Sequence, residues 1–223
     1  MHQRISKKIL LYFFLFIIFG TLNNKNLIQL ELLKIKEIDI VHFDIKQDTS
    51  FLSNLDLFKK KNIFFLSKID VKKKINENEL VENFSIFKKY PSTLLIKIDK
   101  TNFLAYLKKD KELFFLGSNG KLIKTNNEIE NLPYIFGDLD NKEFFKLKEI
   151  IDNSGLEFRN IKNLYFFPSE RWDIETHMGI MIKLPKNKLK ESLELSLKIM
   201  KDKNFENIKI IDLRQKNRVI ING

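Results

Sequence analysis

Phe84-Ser-Ile-Phe-Lys-Lys-Tyr-Pro-Ser-Thr-Leu-Leu-Ile-Lys-Ile98 decides the fold of the first half of this chain. Phe84–Tyr90 and Thr93–Ile98 are two short runs rich in aromatic and β-branched residues, and Pro91 stands between them. That pattern predicts two strands joined at a proline-marked turn. Working back toward the N-terminus, Asn62-Ile-Phe-Phe-Leu66 is a short apolar link. Val71 and Ile75, four residues apart behind Asp70, predict a helix capped by that aspartate. Asp48-Thr-Ser50 offers caps for an earlier helix over Phe51–Phe58, and Ile35-Lys-Glu-Ile-Asp-Ile-Val41 predicts a strand. The order is strand, helix, helix, strand, strand.

Working forward, the pattern turns to short strands. Phe103–Leu107, Leu113–Leu116 and Leu122–Thr125 are apolar, and Asn119-Gly120 between the last two favours a tight hairpin. Leu132–Gly137 reads as an apolar link. Asn141–Asn153 is predicted helical, with Phe144, Leu147 and Ile151 on one stripe. Asn187–Lys203 is predicted helical through Leu189, Leu193, Leu197 and Met200. Strands are expected at Ile161–Phe167, Arg171–Glu175, Gly179–Leu184, Ile208–Arg214 and Arg218–Ile221. Only Asn222 and Gly223 follow that last run. It is therefore expected either at an open sheet edge or paired internally on both sides.

The N-terminus is of another kind. Arg4, Lys7 and Lys8 precede fourteen apolar residues, Ile9-Leu-Leu-Tyr-Phe-Phe-Leu-Phe-Ile-Ile-Phe-Gly-Thr-Leu22. A straight spanning helix needs roughly 20, but Lys7 and Lys8 can snorkel and extend the usable length toward Ile5. No small-x-small cleavage site follows, so an uncleaved anchor is favoured over a signal peptide. Ile9, Leu10, Phe13, Phe14, Phe16, Ile17, Ile18 and Phe19 are its expected lipid-facing residues. The cations before it predict an N-in, C-out topology, against which Lys25, Lys34 and Lys36 weigh on the far side.

The formal net charge is +11 among 40 Lys and Arg, yet only Arg4, Arg159, Arg171, Arg214 and Arg218 are arginines. Base readers favour arginine forks, and these lysines are spread along the whole chain, so no nucleic-acid partner is expected. There is no cysteine, which excludes a disulfide scaffold and thiol chemistry. His2, His42 and His177 have no ligand spacing, and no metal or other cofactor is expected. No nucleophile elbow or phosphate-cradling loop appears, so the chain reads as a non-enzyme without a small-molecule substrate. Trp172 is either a core aromatic or an interface anchor.

Taken in order, these features resemble the bacterial FtsQ family, called DivIB in other lineages. Ile86–Ile98 is similar to the stretch that ends the family's POTRA domain. Leu104-Ala105, the hairpin Asn119-Gly120, Leu132-Pro133 with Gly137, Trp172 followed by Gly179–Leu184, and Ile211-Asp-Leu-Arg214 resemble the motifs of its terminal β domain. Lys100 and Phe103 stand where the family has Glu and Pro. Pro185-Lys186 replaces a Gly-Arg, and Gln215 replaces an aromatic residue.

The resemblance implies an α+β chain: a basic tail over 1–8, a single transmembrane helix over 9–22, a tether over 23–34, a POTRA domain (β-α-α-β-β) over 35–102 and a mostly antiparallel β domain with flanking helices over 103–223. It implies a septal protein of the bacterial inner membrane with its bulk in the periplasm. Its expected partners are FtsB and FtsL, with FtsW, FtsI and FtsK as further divisome contacts and inner-membrane lipid around the anchor. The implied contact residues are Trp172, Arg214, Gln215, Lys216, Asn217, Arg218, Val219, Ile220 and Ile221. The alternative is a POTRA-bearing envelope assembly or translocation factor that binds client polypeptides.

Overall fold

The computed structural model describes residues 6–22, 31–41, 49–126, 129, 131–138, 140–202, 204, 207–216 and 218–223. Asp48, one of the expected caps, and Asn217 lie outside the described residues. The chain divides into two compact units, Met1–Lys100 and Thr101–Gly223.

The first unit opens with helix α1, Lys7–Leu22, whose large apolar side chains from Ile9 to Phe19 are exposed. Among the described residues no helix is long and apolar enough to cross a membrane. Then come β1 (Glu37–Val41), α2 (Thr49–Asp56), α3 (Lys68–Asn76), β2 (Val81–Lys89) and β3 (Thr93–Lys100). β3 is the central strand, parallel to β1 and antiparallel to β2. Its alternation explains its place: Leu94, Ile96 and Ile98 are fully buried, while Lys97 points the other way into water. Phe51 and Leu55 of α2 and Val71 and Ile75 of α3 close over that apolar face. Burying such a side chain stabilises by about 1.5–3 kcal/mol each. Ser67, not Asp70, occupies the cap position of α3; Asp70 sits in the first turn, where a carboxylate favours the helix dipole. In the apolar link after α2, Ile63 and Leu66 turn inward and Phe64 and Phe65 outward.

The second unit is one nine-stranded sheet with two helices. Its elements are β4 (Phe103–Lys109), β5 (Glu112–Gly117), β6 (Leu122–Thr125), β7 (Tyr134–Phe136), α4 (Asn141–Asp152), β8 (Ile161–Phe166), β9 (Trp172–Thr176), β10 (Met181–Lys183), α5 (Leu189–Lys201), β11 (Ile210–Asp212) and β12 (Ile220–Asn222). The spatial order is β12-β11-β10-β9-β8-β7-β4-β5-β6. Five pairings are antiparallel; β4–β7, β7–β8 and β10–β11 are parallel. Phe144, Leu147 and Ile151 of α4 and Leu193 of α5 pack with Ala105, Leu116, Ile135, Leu164, Ile174, Ile182 and Ile211 in one core. The opposite sheet face carries Tyr106, Tyr134, Phe136 and Tyr165. Their rings meet at 4.8 Å (Tyr106–Tyr134) and 5.1 Å (Phe136–Tyr165) across strands about 4.8 Å apart.

Two details of the second unit differ from the sequence expectation. Leu132–Gly137 is more than a link, because Tyr134–Phe136 pairs on both sides inside the sheet. Three residues give too little periodicity to show a strand, but two neighbours satisfy their backbone groups. The Asn119-Gly120 turn is wider than a two-residue hairpin. Gly117 N–H donates to the Lys121 carbonyl at 2.9 Å, and Gly120 takes a φ of +76°.

Gly137 marks the exit of β7 with a φ of +113°, and a Cβ there would overlap the Phe166 carbonyl. Both the dihedral and the space demand glycine. Gly137→Ala is therefore expected to cost at least about 2 kcal/mol in chemical denaturation; a loss under about 0.5 kcal/mol contradicts this reading.

Candidate functional site

β12 closes one end of the sheet and pairs with β11 alone. Its register sets Ile221 beside Ile211, on the helix-covered face, and turns Ile220 to the other face beside Asp212. Ile221 is half-buried, while Ile220 and Val219 are 48% and 40% exposed. Gln215, Lys216 and Arg218 are exposed in the turn before the strand, where Arg218 N–H reaches the Gln215 carbonyl at 3.4 Å. The backbone of β12 thus faces β11 on one side and carries no protein strand on the other among the described residues.

The Asp-Leu-Arg run fastens this end. The Asp212 carboxylate accepts the Arg214 backbone N–H at 3.0 Å and its Nε–H at 2.8 Å. It also accepts the guanidinium Nη2 at 2.5 Å, making a forked, charge-assisted pair. Those hydrogen bonds, more than the burial that opposes them, hold the Asp212 carboxyl below its ordinary range, and the same bonds raise Arg214. Leu213, between them, is buried and donates its N–H to the Lys183 carbonyl at 2.9 Å. The motif is a hinge-pin: the acid and base lock the backbone while the leucine enters the core.

Lys183 lies opposite Asp173 on β9 and beside Asp212 on β11. An acid–base–acid row therefore crosses the helix-free face and ends at Ile220. Asp173 is the expensive member: it is 6% exposed and its Oδ1 has no hydrogen-bond partner. Burial pushes its carboxyl up, against the pull of Arg214, Lys183 and Arg171.

Trp172 was an expected contact residue, and its side chain is not available for one. It is 1% exposed and packs against Phe166 at 4.8 Å, so it belongs to the core. Its neighbour Arg171 is the residue that the sequence reading missed. Arg171, Lys186, Lys188, Arg214 and Lys216 line a cleft of about 550 Å³ next to the turn before β12, and no carboxylate lines it among the described residues. The Arg171 guanidinium lies over the Phe167 ring at 5.3 Å, and its Nε is buried without a partner. These cations are up to 45 positions apart. They meet because β9 starts, and β10 and β11 end, on the same side of the sheet.

The two aspartates should respond to amidation with opposite signs. Asp212→Asn is expected to lower the midpoint of thermal unfolding at pH 7. A carboxyl with a lowered folded pKa stabilises above its unfolded value of about 4, and that contribution fades as pH falls through the folded pKa. Asp173→Asn is expected to raise the midpoint at pH 8, because a carboxyl with a raised folded pKa is destabilising once ionised. That gain should vanish below about pH 4. Equal signs for the two variants at pH 8 contradict the assignment.

Residues 105–214 match the model of the cell division protein FtsQ/DivIB C-terminal domain. A cell division protein DivIB of Clostridium botulinum is 32% identical over 134 residues, covering 60% of this chain and 50% of the relative. A cell division protein FtsQ of Rickettsia bellii is 26% identical over 177 residues, covering 78% of this chain and 66% of the relative. The chain thus spans between half and two thirds of the length of these curated relatives. The solved major extracytoplasmic domain of DivIB from Geobacillus stearothermophilus, in its trans isomer, aligns at 14% identity over 48% of this chain and 99% of that one. Its TM-score of 0.35 is too loose to support a structural correspondence. The matched segment runs from the core alanine of β4 to the arginine of the Asp-Leu-Arg hinge, and over it the chain is similar to the FtsQ/DivIB family of cell-division proteins.

Proposed function

We propose that this chain is a non-enzymatic, bitopic scaffold of the bacterial divisome. It binds an FtsB/FtsL pair by adding a partner strand to β12 and so recruits or regulates septal cell-wall synthesis. The observation that carries this reading is the open backbone of β12, flanked by the exposed Val219 and Ile220. Strand addition draws its affinity from main-chain hydrogen bonds, which is why Gln215 in place of an aromatic residue is tolerated. The cationic cleft beside Arg214 gives such a partner's acidic side chains a place to dock, steering encounter as well as holding it.

The rest of the chain serves to present that edge. Residues 35–102 act as a POTRA domain that localises the protein, and 103–223 form the partner-binding β domain. Helix α1 anchors the chain with the N-terminus in the cytoplasm and the bulk in the periplasm. At 16 residues it spans about 24 Å against a hydrocarbon core of about 30 Å. Snorkelling of Lys7 and Lys8 and local bilayer thinning cover that deficit. All of its large apolar side chains from Ile9 to Phe19 are exposed, which supports a lipid environment for them.

Proline at the edge removes a ladder donor. Val219→Pro, Ile221→Pro and truncation after Arg214 are each expected to weaken capture of an FtsB-type coiled-coil protein at least about tenfold, with far-UV circular dichroism unchanged for the point variants. If all three variants bind like the parent, strand addition at this edge is wrong.

A further inference from the structure

The first unit carries a second exposed apolar surface, far in sequence from β12. Phe64, Phe65, Ile69 and Tyr90 are 54%, 58%, 77% and 57% exposed. Phe64 stacks on Tyr90 at 4.5 Å, and Phe65 lines a cleft of about 450 Å³ with Lys34, Lys60, Lys61 and Ser67, three cations against the single carboxylate of Asp70. Phe64, Phe65 and Tyr90 together in water, with Ile69 exposed in the first turn of the helix that follows, mark an interaction surface.

Two observations say what covers it. The first is where the chain arrives. Ile63 N–H donates to the Leu33 carbonyl at 2.8 Å, Ile35 N–H to the Lys61 carbonyl at 2.9 Å and Lys60 N–H to the Ile35 carbonyl at 2.9 Å. Residues 33–35 are thus stitched to residues 60–63. The segment coming from helix α1 enters the unit directly beside Phe64 and Phe65. Only eight residues, 23–30, separate Leu22 from Glu31, and eight residues reach at most about 30 Å. The second is charge. Lys59-Lys60-Lys61 stands two residues before the exposed phenylalanines, with the Lys59 ammonium paired to Asp56 at 2.8 Å on the surface. Lys88 Nζ donates to the Phe64 and Leu66 carbonyls at 3.1 and 3.0 Å, pinning the loop in its outward-facing form. Aromatic and aliphatic side chains interleaved with lysines match the headgroup zone of an anionic bilayer, where rings enter the acyl boundary and ammonium groups stay with the phosphates.

We infer that this loop is a membrane-docking surface: Phe64, Phe65 and Ile69 insert into the interface of an anionic lipid leaflet while Lys59–Lys61 hold its phosphates. This rests on the reading of α1 as a membrane anchor. Docking would lay the first unit against the bilayer.

The absence of cysteine makes the test direct. The full chain, reconstituted alone in vesicles, is labelled at one introduced cysteine with an environment-sensitive dye and challenged with lipids carrying quenchers on their acyl chains. Phe13→Cys reports the anchor, Phe65→Cys the loop, and Ser85→Cys the sheet face away from the helices. In vesicles containing phosphatidylglycerol, Phe13 and Phe65 labels are expected to be quenched at least twofold more than the Ser85 label. Quenching at Phe13 with Phe65 no different from Ser85 overturns the docking inference and leaves the anchor standing. No quenching at Phe13 overturns the anchor reading and this one with it. Replacing Lys59, Lys60 and Lys61 with glutamine, or using purely zwitterionic vesicles, should reduce the Phe65 signal; equal quenching there overturns the role given to the lysines.

Discussion

An open sheet must end, and its last strand leaves a row of backbone N–H and C=O groups facing away from the protein. Each needs a partner, supplied by water or by another chain. The nine-stranded sheet has two such ends, β6 and β12, and they differ. β6 carries Lys124 mid-strand, paired with Glu112 at 2.5 Å, a charge that discourages another strand. β12 carries Ile220, Ile221 and Asn222, with no charge within it. One edge carries a paired charge and the other carries none.

Much of the unit packs so as to hold that uncharged edge in place. Two helices seal one face of the sheet through a single core. The forked Asp212–Arg214 pair fixes the turn into β12, and Leu213 threads the same turn into the core. The buried, imperfectly satisfied Asp173 is a cost borne in the same row of charges. In the first unit, the backbone stitching of residues 33–35 to 60–63 plays the comparable part, fixing an apolar loop beside the arriving chain.

Local periodicity made several elements legible. The Val71/Ile75 and Phe144/Leu147/Ile151 stripes appear as buried helix faces, and Leu94, Ile96 and Ile98 as the buried side of a strand. The edge position of the last strand was open on pattern alone, because a short apolar run reads the same with one neighbour or two. Tyr134–Phe136 escaped notice as a strand because three residues do not display a period. The contact candidates divide for a physical reason. Gln215 to Ile221 follow by position from the family resemblance; Ile220 and Ile221 lie in the edge strand, and Gln215, Lys216 and Arg218 in the turn before it. Trp172 was named alongside them, but the pleat sends its ring inward. Arg171 belongs with Arg214 only through the pairing of strands some forty residues apart, which no local pattern carries.

The central claim is that β12 receives a partner strand through its backbone. Hydrogen exchange of the full chain, with and without an FtsB-type partner, reads those amides one peptide at a time. The account predicts that partner binding slows exchange at residues 219–222 well beyond any change at β6, Leu122–Thr125. Saturating complex formation with unchanged exchange at 219–222 would contradict it.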